Sequence, residues 1–344
     1  MIKIKFIQPD IHRNETTFRP MIAAANTLRD VGIEITNSND YDFAVVGHAS
    51  ISNKKVSLEQ SVNDGLNFLE SIKGDYIIFD GQDSTSLIGT ADVYRYSNAV
   101  MFLKINYLKN KQLYKNYYIG GRYYWGVGGN YNVPDIDKLS DRMYLSGTNW
   151  VNTFCTDGNF PVYDYSQSKK YDVSAMFQYP LHTITYEHGI NQTEHYNIHR
   201  SKLIDVLDIK KYNVAKLNNG ERVTEREYYQ KMFDSKIILA PYGFGELPPR
   251  DIQAAQFGSI LIKPDVSYID TYPNIYVNNE TYIACKHDFS DLDEKIDYVL
   301  SNFKELQPYI VENMRRKFVN EYAHEKLALH LYNVFIKLSS ITTV

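Results

Sequence analysis

The sequence predicts an α/β protein made of two domains, each built around a mostly parallel β-sheet. Short apolar runs alternate with longer amphipathic stretches in two separate regions of the chain, a pattern typical of βαβ units. Between these regions, residues 114–165 are rich in Gly, Tyr, Asn and Asp and show no sustained helical period. The length of 344 residues also favours two domains, because single domains mostly contain about 100–150 residues.

The N-terminal region begins with an apolar β-type run and continues with helices and strands in alternation. Pro20 and Gly32 delimit the first helix, since proline favours the first turn and glycine favours the position after the last. We expect strands over residues 2–7, 33–36, 43–46 and 76–79, and helices over residues 18–31, 56–72 and 98–113.

The C-terminal region shows the same alternation. Strands are predicted over residues 171–176, 212–216, 237–240, 260–262 and 274–277, and helices over residues 195–207, 224–233, 249–257 and 292–301, followed by a long helical tract over residues 306–338. We therefore predict an N-terminal domain over residues 1–168, a C-terminal domain over residues 169–325 and a final helical segment over residues 326–344.

The composition is that of a globular protein, with 44% hydrophobic and 23% charged residues, which excludes gross disorder. The net charge of -4 gives no support to a broadly basic nucleic-acid-binding protein. Cys155 and Cys285 are far apart and fit neither a disulfide framework nor a metal motif. No apolar run reaches the roughly 18 residues of a membrane helix, and the opening lacks a signal-peptide pattern. These features predict a cytoplasmic protein, in a bacterium or, for a viral protein, in the host.

Two tandem α/β domains imply a cleft between them. Ligands of open parallel sheets bind at the carboxyl ends of the strands, so the loops that follow the predicted strands are the candidates for chemistry. These loops cover residues 8–17, 80–90, 177–194 and 241–249.

The sharpest local pattern is the segment SKIILAPYGFGELPPRDIQAAQFGSILIKPD, residues 235–265. A strand leads into a turn with Gly243 and Gly245, and the next helix carries Arg250 and Gln253. Glycines let a backbone approach a ligand closely, a helix N-terminus attracts phosphate, and arginine suits phosphate oxygens. Gln253 can hydrogen-bond a ribose hydroxyl. The alternative is an ordinary tight turn in which Arg250 forms a structural ion pair.

This segment resembles the nucleotide-sugar-binding segment in the C-terminal domain of GT-B glycosyltransferases, especially the exostosin-like and family-1-like groups. Those groups combine a strand, a glycine turn, an R-x-x-E-A helix start, a further glycine and a second strand. The matching residues here are Pro241, Gly243, Gly245, Arg250, Ala254 and Gly258. The chain departs from the pattern at Gln253, where many members carry Glu, so a retaining mechanism is not carried over.

The resemblance implies the GT-B fold, in which two Rossmann-like domains face a central cleft and the C-terminal helix crosses back to the N-terminal domain. It also implies a nucleoside diphosphate sugar as co-substrate, with no metal or other cofactor required. The helix over residues 195–207 would add basic residues toward the diphosphate, although a solvated helix face is the alternative. The implied donor-binding residues are Arg200, Lys202, Tyr242, Gly243, Phe244, Gly245, Glu246, Arg250 and Gln253.

Histidines near the helix over residues 195–207 raise the question of a metal site. They are His182, His188, His195 and His199. The last two are four residues apart, a spacing that can place both on one helical face. No cysteine and no suitably spaced carboxylate joins them, so we predict no metal site.

The N-terminal domain is expected to hold the acceptor and a general base for its hydroxyl. Asp10 and His12 follow the first strand, and Asp80 and Asp83 follow the strand over residues 76–79. All four are catalytic candidates, and the alternative for each is turn or capping chemistry. The tract YYIGGRYYWGVGGNY, residues 117–131, either stacks on an acceptor sugar or acts as a lid, or it forms hairpins with Gly-Gly turns.

The favoured function is a glycosyltransferase that moves a sugar from a nucleoside diphosphate sugar, such as a UDP-sugar, to an acceptor hydroxyl on a glycan. Two alternatives stay open. One is a glycosyltransferase acting on a hydroxymethylated base in phage or viral DNA, which the acidic balance does not support. The other is a non-catalytic sugar- or nucleotide-binding module, which Gln253 in place of Glu keeps open.

Overall fold

The structure, a computed structural model, describes residues 1–7, 18–148, 163–207, 211–216 and 223–339. Two of the predicted catalytic candidates, Asp10 and His12, lie outside these described residues. Among the helices of the described ranges, none is long and apolar enough to cross a membrane.

The N-terminal half forms a six-stranded parallel sheet with the strand order β2-β1-β3-β4-β5-β7. Its strands are β1 (Ile2–Ile7), β2 (Ile33–Ile35), β3 (Phe43–Gly47), β4 (Asp75–Asp80), β5 (Met101–Lys104) and β7 (Met143–Leu145). The accompanying helices are α1 (residues 18–23), α2 (Ala25–Asp30), α3 (His48–Ile51), α4 (Leu58–Glu70), α5 (Thr90–Tyr96) and α6 (Ile136–Ser140).

The C-terminal half forms a second parallel sheet, of five strands, with the order β11-β8-β12-β13-β15. Its strands are β8 (Tyr171–Ala175), β11 (Val214–Lys216), β12 (Ser235–Leu239), β13 (Ile260–Pro264) and β15 (Ile283–Cys285), and a small hairpin pairs β9 (Tyr186–Glu187) with β10 (Ile190–Asn191). The helices are α7 (Gln192–Leu207), α8 (Glu225–Phe233), α9 (Arg250–Gln256), α10 (Leu292–Ser301), α11 (Phe303–Glu321) and α12 (His324–Ser339).

Helices cover both faces of each sheet, because successive side chains of a buried parallel strand point to opposite faces. In β12, Ile238 packs in the cluster that contains α9 and α11, whereas Ile237 and Leu239 pack in the cluster that contains α7 and α10. In the N-terminal sheet, one face packs on α4 and α5. The opposite face packs on α1, α2 and α12. The C-terminal helix therefore contributes to the core of the N-terminal half.

A two-stranded antiparallel ribbon joins the two halves. It pairs β6 (Asn106–Leu108), which follows β5, with β14 (Ile269–Thr271), which follows β13. The main chain extends the pairing, because the Lys109 N–H donates to the Tyr268 carbonyl at 2.9 Å. The ribbon fixes the carboxyl ends of the two sheets relative to each other.

Most predicted helices and strands are present within a few residues of their expected bounds, but the helix predicted over residues 98–113 is wrong. These residues form β5, β6 and a short 3-10 helix at Lys111–Lys115. All four residues of β5 are buried, so the strand lacks the apolar-polar alternation that would have identified it. A short buried strand and a buried helical segment look alike in sequence.

Two further expectations for the C-terminal half need correction. Residues 274–277 are not a strand, and the last strand of the sheet is instead β15, which is only three residues long. The predicted helical tract over residues 306–338 is two helices, because α11 ends at Glu321 and α12 begins at His324. The break lets α12 turn away from the C-terminal half and reach the N-terminal sheet.

Replacing Leu331 by Ala tests how much α12 contributes to the N-terminal core. Leu331 is fully buried in the cluster with α1 and α2, so the substitution is expected to lower the free energy of unfolding by about 2–5 kcal/mol. Leu329 lies on the same helix and is 55% exposed, and its replacement by Ala should cost no more than about 0.5 kcal/mol. Urea unfolding of both variants measures the difference, and equal losses would contradict the packing described here.

Candidate active site

The strand order of the C-terminal sheet identifies the place where a ligand is expected. The connection from β8 through α7 leads to β11 on one side, and the chain then returns to β12 on the other side of β8. The carboxyl ends of β8 and β12 therefore form the topological switch point of this sheet. Open α/β sheets bind their ligands in the crevice at such a point.

Arg200 of α7 lies at this switch point and is 5% exposed. Its guanidinium donates to the carbonyl oxygens of Tyr242, at 3.2 Å, and Gln178, at 3.0 Å. It also lies 3.8 Å from the centroid of the Tyr196 ring. All of these partners are neutral, so the positive charge of Arg200 is solvated by dipoles and an aromatic face and is not neutralised.

Arg250 opens α9 and reaches the same point from the other side. One of its terminal nitrogens donates to the Met176 carbonyl just beyond β8, at 3.4 Å, and its buried Nε has no hydrogen-bond partner. Burial lowers the pKa of Arg200 to about 9, and the positive charge of nearby Arg250 acts in the same direction. In the described part of the chain, neither arginine forms an ion pair with a carboxylate.

The other fully buried cations of the described residues are each paired with a carboxylate, whereas the half-buried Lys169 is bonded to carbonyl groups. Lys104 pairs with Asp80, and Lys263 pairs with Asp251; all four side chains are fully buried. A buried charge without a partner is costly, so proteins usually pair it. Arg200 and Arg250 face no carboxylate of the described residues, so an anion can bind between them, and a planar guanidinium group matches the geometry of phosphate oxygens.

The glycine turn lies directly beside the arginine pair. A Cβ built on Gly243 would be 3.4 Å from a terminal nitrogen of Arg200, and the Gly243 N–H donates to the Gly245 carbonyl at 3.0 Å. A Cβ built on Gly245 would lie 2.3 Å from the carboxyl carbon of Asp83. Glycine at position 245 is therefore required for the close approach of the two domains.

Glu246 connects the domains and does not face a ligand. It is fully buried, and its carboxylate accepts hydrogen bonds from the N–H of Thr85, at 3.0 Å, and from the Thr85 hydroxyl, at 2.5 Å. Its own N–H donates to the Asp83 carbonyl at 3.2 Å. Burial raises the pKa of Glu246 to about 7. The geometry makes this residue an interdomain anchor, where the sequence predicted a donor contact.

Tyr242 is likewise a core residue of the turn. It is fully buried, its hydroxyl donates to the Asp265 carbonyl at 2.8 Å, and its N–H donates to Nε2 of His199 at 3.2 Å. Phe244, by contrast, is partly exposed and its ring lies 5.2 Å from that of Tyr196. Gln253 is partly exposed one turn into α9. Of these three side chains, Phe244 and Gln253 have exposed surface that a ligand beside the arginine pair can contact, and Tyr242 has none.

Lys202 lies away from Arg200 although it is on the same helix. Together with His195 it lines a separate cavity of about 170 Å³, which Tyr124 and Trp125 of the N-terminal half also line.

Within the described ranges, no group of three or more His, Cys, Asp or Glu side chains is placed to hold a metal ion. His199 accepts its hydrogen bond inside the core, and burial lowers its pKa to about 3.

Asp80 is fully buried below the cleft. Its carboxylate is paired with Lys104 at 3.1 Å and accepts hydrogen bonds from the Thr90 hydroxyl and the Gln82 N–H. Burial raises the pKa of Asp80, but Lys104 and other contacts outweigh it and keep the pKa below its ordinary value. A carboxylate with these partners orders the loop after β4 and is poorly placed to accept a proton from a substrate.

Asp83, three residues further along the same loop, has the opposite character. It is partly exposed and lies against Gly245 of the C-terminal half. Burial raises the pKa of Asp83, while Lys54 and Arg122 oppose the increase. Among the described residues it forms no ion pair. Of the predicted carboxylates that the structure describes, Asp83 is the one that the fold brings to the glycine turn.

Arg122 and Glu187 are important residues of this region that the sequence analysis missed. Arg122 lies within the tract over residues 117–131, which forms short 3-10 turns rather than regular hairpins. Its guanidinium pairs with Glu187 at 2.7 Å and donates to the Phe244 carbonyl at 3.0 Å. The available signal was a single charged residue among glycines and aromatic residues, a setting that favours a buried, paired arginine.

No protein-family model matches the chain, and no curated protein matches it in sequence. Among solved structures, the chain is similar to a sucrose-phosphate synthase from Thermosynechococcus elongatus, with a TM-score of 0.53, 10% sequence identity, and coverage of 99% of this chain and 100% of that one. This similarity shows the GT-B fold, with two Rossmann-like domains, as the sequence predicted.

Two further solved structures are similar at lower scores. HepE from Anabaena, in complex with UDP, has a TM-score of 0.48 and 9% identity over 98% of this chain and 100% of that one. BGT of phage T4, in complex with UDP and Mn²⁺, has a TM-score of 0.47 and 10% identity over 96% of this chain and 99% of that one. The exostosin-like or family-1-like subtype stays a prediction.

The burial of Glu246 predicts a pH dependence of stability. Its pKa of about 7 in the folded protein exceeds the ordinary value of 4.5, so the folded state retains a proton that the unfolded state releases. The contribution of Glu246 to the free energy of unfolding is therefore fully present below about pH 4.5. It is lost as the pH rises through 7, which lowers the free energy of unfolding by up to about 3 kcal/mol. Glu246→Gln should remove this part of the decline in urea unfolding measured between pH 4.5 and 8.

The exposed Glu325 provides the control for this experiment. Glu325→Gln should follow the wild-type pH profile, because it leaves the interdomain contact intact. The interpretation of Glu246 is contradicted when the wild type and Glu246→Gln lose stability in parallel over the whole range.

Proposed function

We propose that the chain is a glycosyltransferase that moves a sugar from a nucleoside diphosphate sugar to an acceptor hydroxyl. The observation that carries the proposal is the pair of Arg200 and Arg250 at the switch point of the C-terminal sheet, which meets no carboxylate among the described residues. A diphosphate is an anion of the size and charge that two converging guanidinium groups bind. The neighbouring Gly243 leaves room for it beside the main chain.

The arginine pair would also act in the chemical step. Negative charge develops on the leaving diphosphate as the bond to the sugar breaks, and preorganised donors stabilise that charge most effectively where water is excluded. Arg200 is held in place by two carbonyl groups and by the Tyr196 ring, so it needs no reorganisation. We infer that this pair supplies the charge stabilisation and that the reaction requires no metal ion.

We infer that Asp83 is the general base. It lies on the N-terminal side of the cleft, against the glycine turn, and has a raised pKa and no competing ion pair among the described residues. It would accept the proton of the acceptor hydroxyl while that oxygen forms its bond to the anomeric carbon and the diphosphate leaves. Asp80 would keep the loop in shape through its pairing with Lys104.

The proposed acceptor is a glycan. The support is the aromatic group of Tyr124 and Trp125, which borders the glycine turn from the N-terminal side: the Tyr124 hydroxyl donates to the Gly243 carbonyl at 3.2 Å. Aromatic rings combine apolar contact area with a polar edge, as sugar binding requires. Titration with duplex DNA at two salt concentrations tests the alternative acceptor, since binding that weakens steeply with salt would favour DNA.

Arg250→Ala tests the donor site. Loss of charge-assisted hydrogen bonds should raise the Kd for UDP about 10- to 100-fold and lower the rate of UDP release from UDP-sugars. Arg226 on α8 is exposed, and Arg226→Ala serves as the matched control with an unchanged Kd. Calorimetry with UDP, GDP and ADP identifies the base, and equal affinity of wild type and Arg250→Ala for the best ligand would exclude Arg250 from the site.

Asp83→Asn tests the general base separately from donor binding. Transfer to the acceptor should fall about 10²- to 10⁴-fold, while the Kd for the nucleoside diphosphate changes little. Because the pKa of Asp83 is raised, the wild-type rate should increase with pH over a range above that of an ordinary carboxylate. A variant that keeps wild-type turnover with the same pH profile would place the base elsewhere.

A further inference from the structure

Arg122 occupies an unusual position between the two domains. It belongs to the N-terminal half, is 1% exposed, and contacts two separate segments of the C-terminal half. One segment is the hairpin of β9 and β10, where Glu187 pairs with a terminal nitrogen of Arg122 at 2.7 Å. The other is the glycine turn, where the Phe244 carbonyl accepts from Nε at 3.0 Å.

The same guanidinium is also tied to its own loop. It donates to the Gly120 carbonyl at 3.3 Å and lies 4.5 Å from the centroid of the Trp125 ring. Arginine can make several such bonds at once because its donors form a rigid planar fork. One side chain thus fixes three main-chain segments relative to one another.

Glu187 holds Arg122 in this orientation. It is 1% exposed, pairs with Lys54 at 2.7 Å as well as with Arg122, and accepts a hydrogen bond from the Gln192 amide. Burial raises the pKa of Glu187, but the two cations outweigh it and keep the pKa far below its ordinary value. The carboxylate is therefore a permanent negative charge that selects one position of the guanidinium.

The glycine turn needs such an external restraint. Phe244 lies between Gly243 and Gly245, and a glycine-flanked residue has a large backbone freedom in solution. The Phe244 carbonyl is fixed by Arg122, and the Gly243 carbonyl is fixed by Tyr124 from the same loop. The N-terminal half therefore determines the main-chain conformation of a turn that belongs to the C-terminal half.

We propose that Arg122 is a positioning residue for the donor: held by Glu187, it fixes the Phe244 carbonyl and so places the glycine turn to receive a nucleoside diphosphate. This inference rests on the proposed function for its ligand. It differs from a purely structural role because it links the hairpin of β9 and β10 to donor binding. Arg122 contacts no reacting atom and is therefore expected to affect the KM of the donor more than kcat.

Three variants test the proposal. Arg122→Lys keeps the charge opposite Glu187 but lacks the fork that reaches Phe244 at the same time. Glu187→Gln keeps the size of the side chain and removes the charge that orients Arg122. Lys54→Met is the matched control, because Lys54 is a partner of Glu187 with a 43% exposed side chain, and among the described residues no ion pair joins it to the turn.

The first readout is calorimetric titration with UDP, together with the donor KM and kcat for UDP release. Arg122→Lys and Glu187→Gln should raise the Kd and the donor KM about tenfold, with a smaller change in kcat. Lys54→Met should leave the Kd for UDP within about twofold of wild type, because the Glu187 carboxylate keeps its ion pair with Arg122 and Arg122 keeps its bond to Phe244. Equal Kd values in Arg122→Lys, Glu187→Gln and wild type overturn the proposal.

The second readout needs no ligand, so it tests the positioning role of Arg122 separately from the proposed glycosyltransferase function. Amide hydrogen exchange of a peptide covering residues 241–249 should become faster in Arg122→Lys and Glu187→Gln, and should be unchanged in Lys54→Met. If the wild-type protein binds none of UDP, GDP and ADP, the proposed function is refuted. If exchange in this peptide is the same in the wild type, Arg122→Lys and Glu187→Gln, the positioning role is refuted. Should Arg122→Lys fail to fold, Glu187→Gln carries both measurements.

Discussion

The direct contact between the loop after β4 and the glycine turn after β12 is the constraint on which the rest of the structure depends. Gly245 lies against Asp83, and Glu246 inserts its carboxylate into the N-terminal half to bind Thr85. A larger residue at position 245 would push the two loops apart, and the two domains would no longer be in contact there. Because of this contact, the Asp83 carboxylate after β4 and the arginine pair of the other sheet lie at one crevice.

The charges around this crevice divide into two classes. Arg122 and Lys104 each face a buried carboxylate, so their positive charges are balanced within the protein and hold loops in place. Among the described residues, the buried Arg200 faces carbonyl groups, the Tyr196 hydroxyl and aromatic rings but no carboxylate, and the buried Nε of Arg250 has no hydrogen-bond partner. Burying a charge without a counter-charge is unfavourable, and a ligand that supplies the negative charge removes this cost. This contrast favours the interpretation that Arg200 and Arg250 bind a ligand over the alternative that Arg250 forms an ordinary structural ion pair.

Sequence periodicity predicted much of the architecture because α/β domains combine strong local signals with simple connection rules. It failed where an element was too short or too buried to show a period, as for β5 and β15. The glycine turn and Arg250 were identified from a local motif. Asp80 and Asp83 were indistinguishable in the sequence, since both follow the same strand. Their different roles come from Lys104 and Gly245, which are distant in the chain.

The sequence by itself determined the two α/β regions, the loops at the carboxyl ends of their strands and the arginine that opens α9, because these depend on local pattern and on spacing within one segment. Only the tertiary structure decided that Glu246 anchors the domains, that Lys202 faces a separate cavity, and that Arg122 connects two segments of the other half. These roles depend on burial and on partners that are far away in sequence. The residues next to Glu246, Lys202 and Arg122 in the chain determine neither the burial nor the partners.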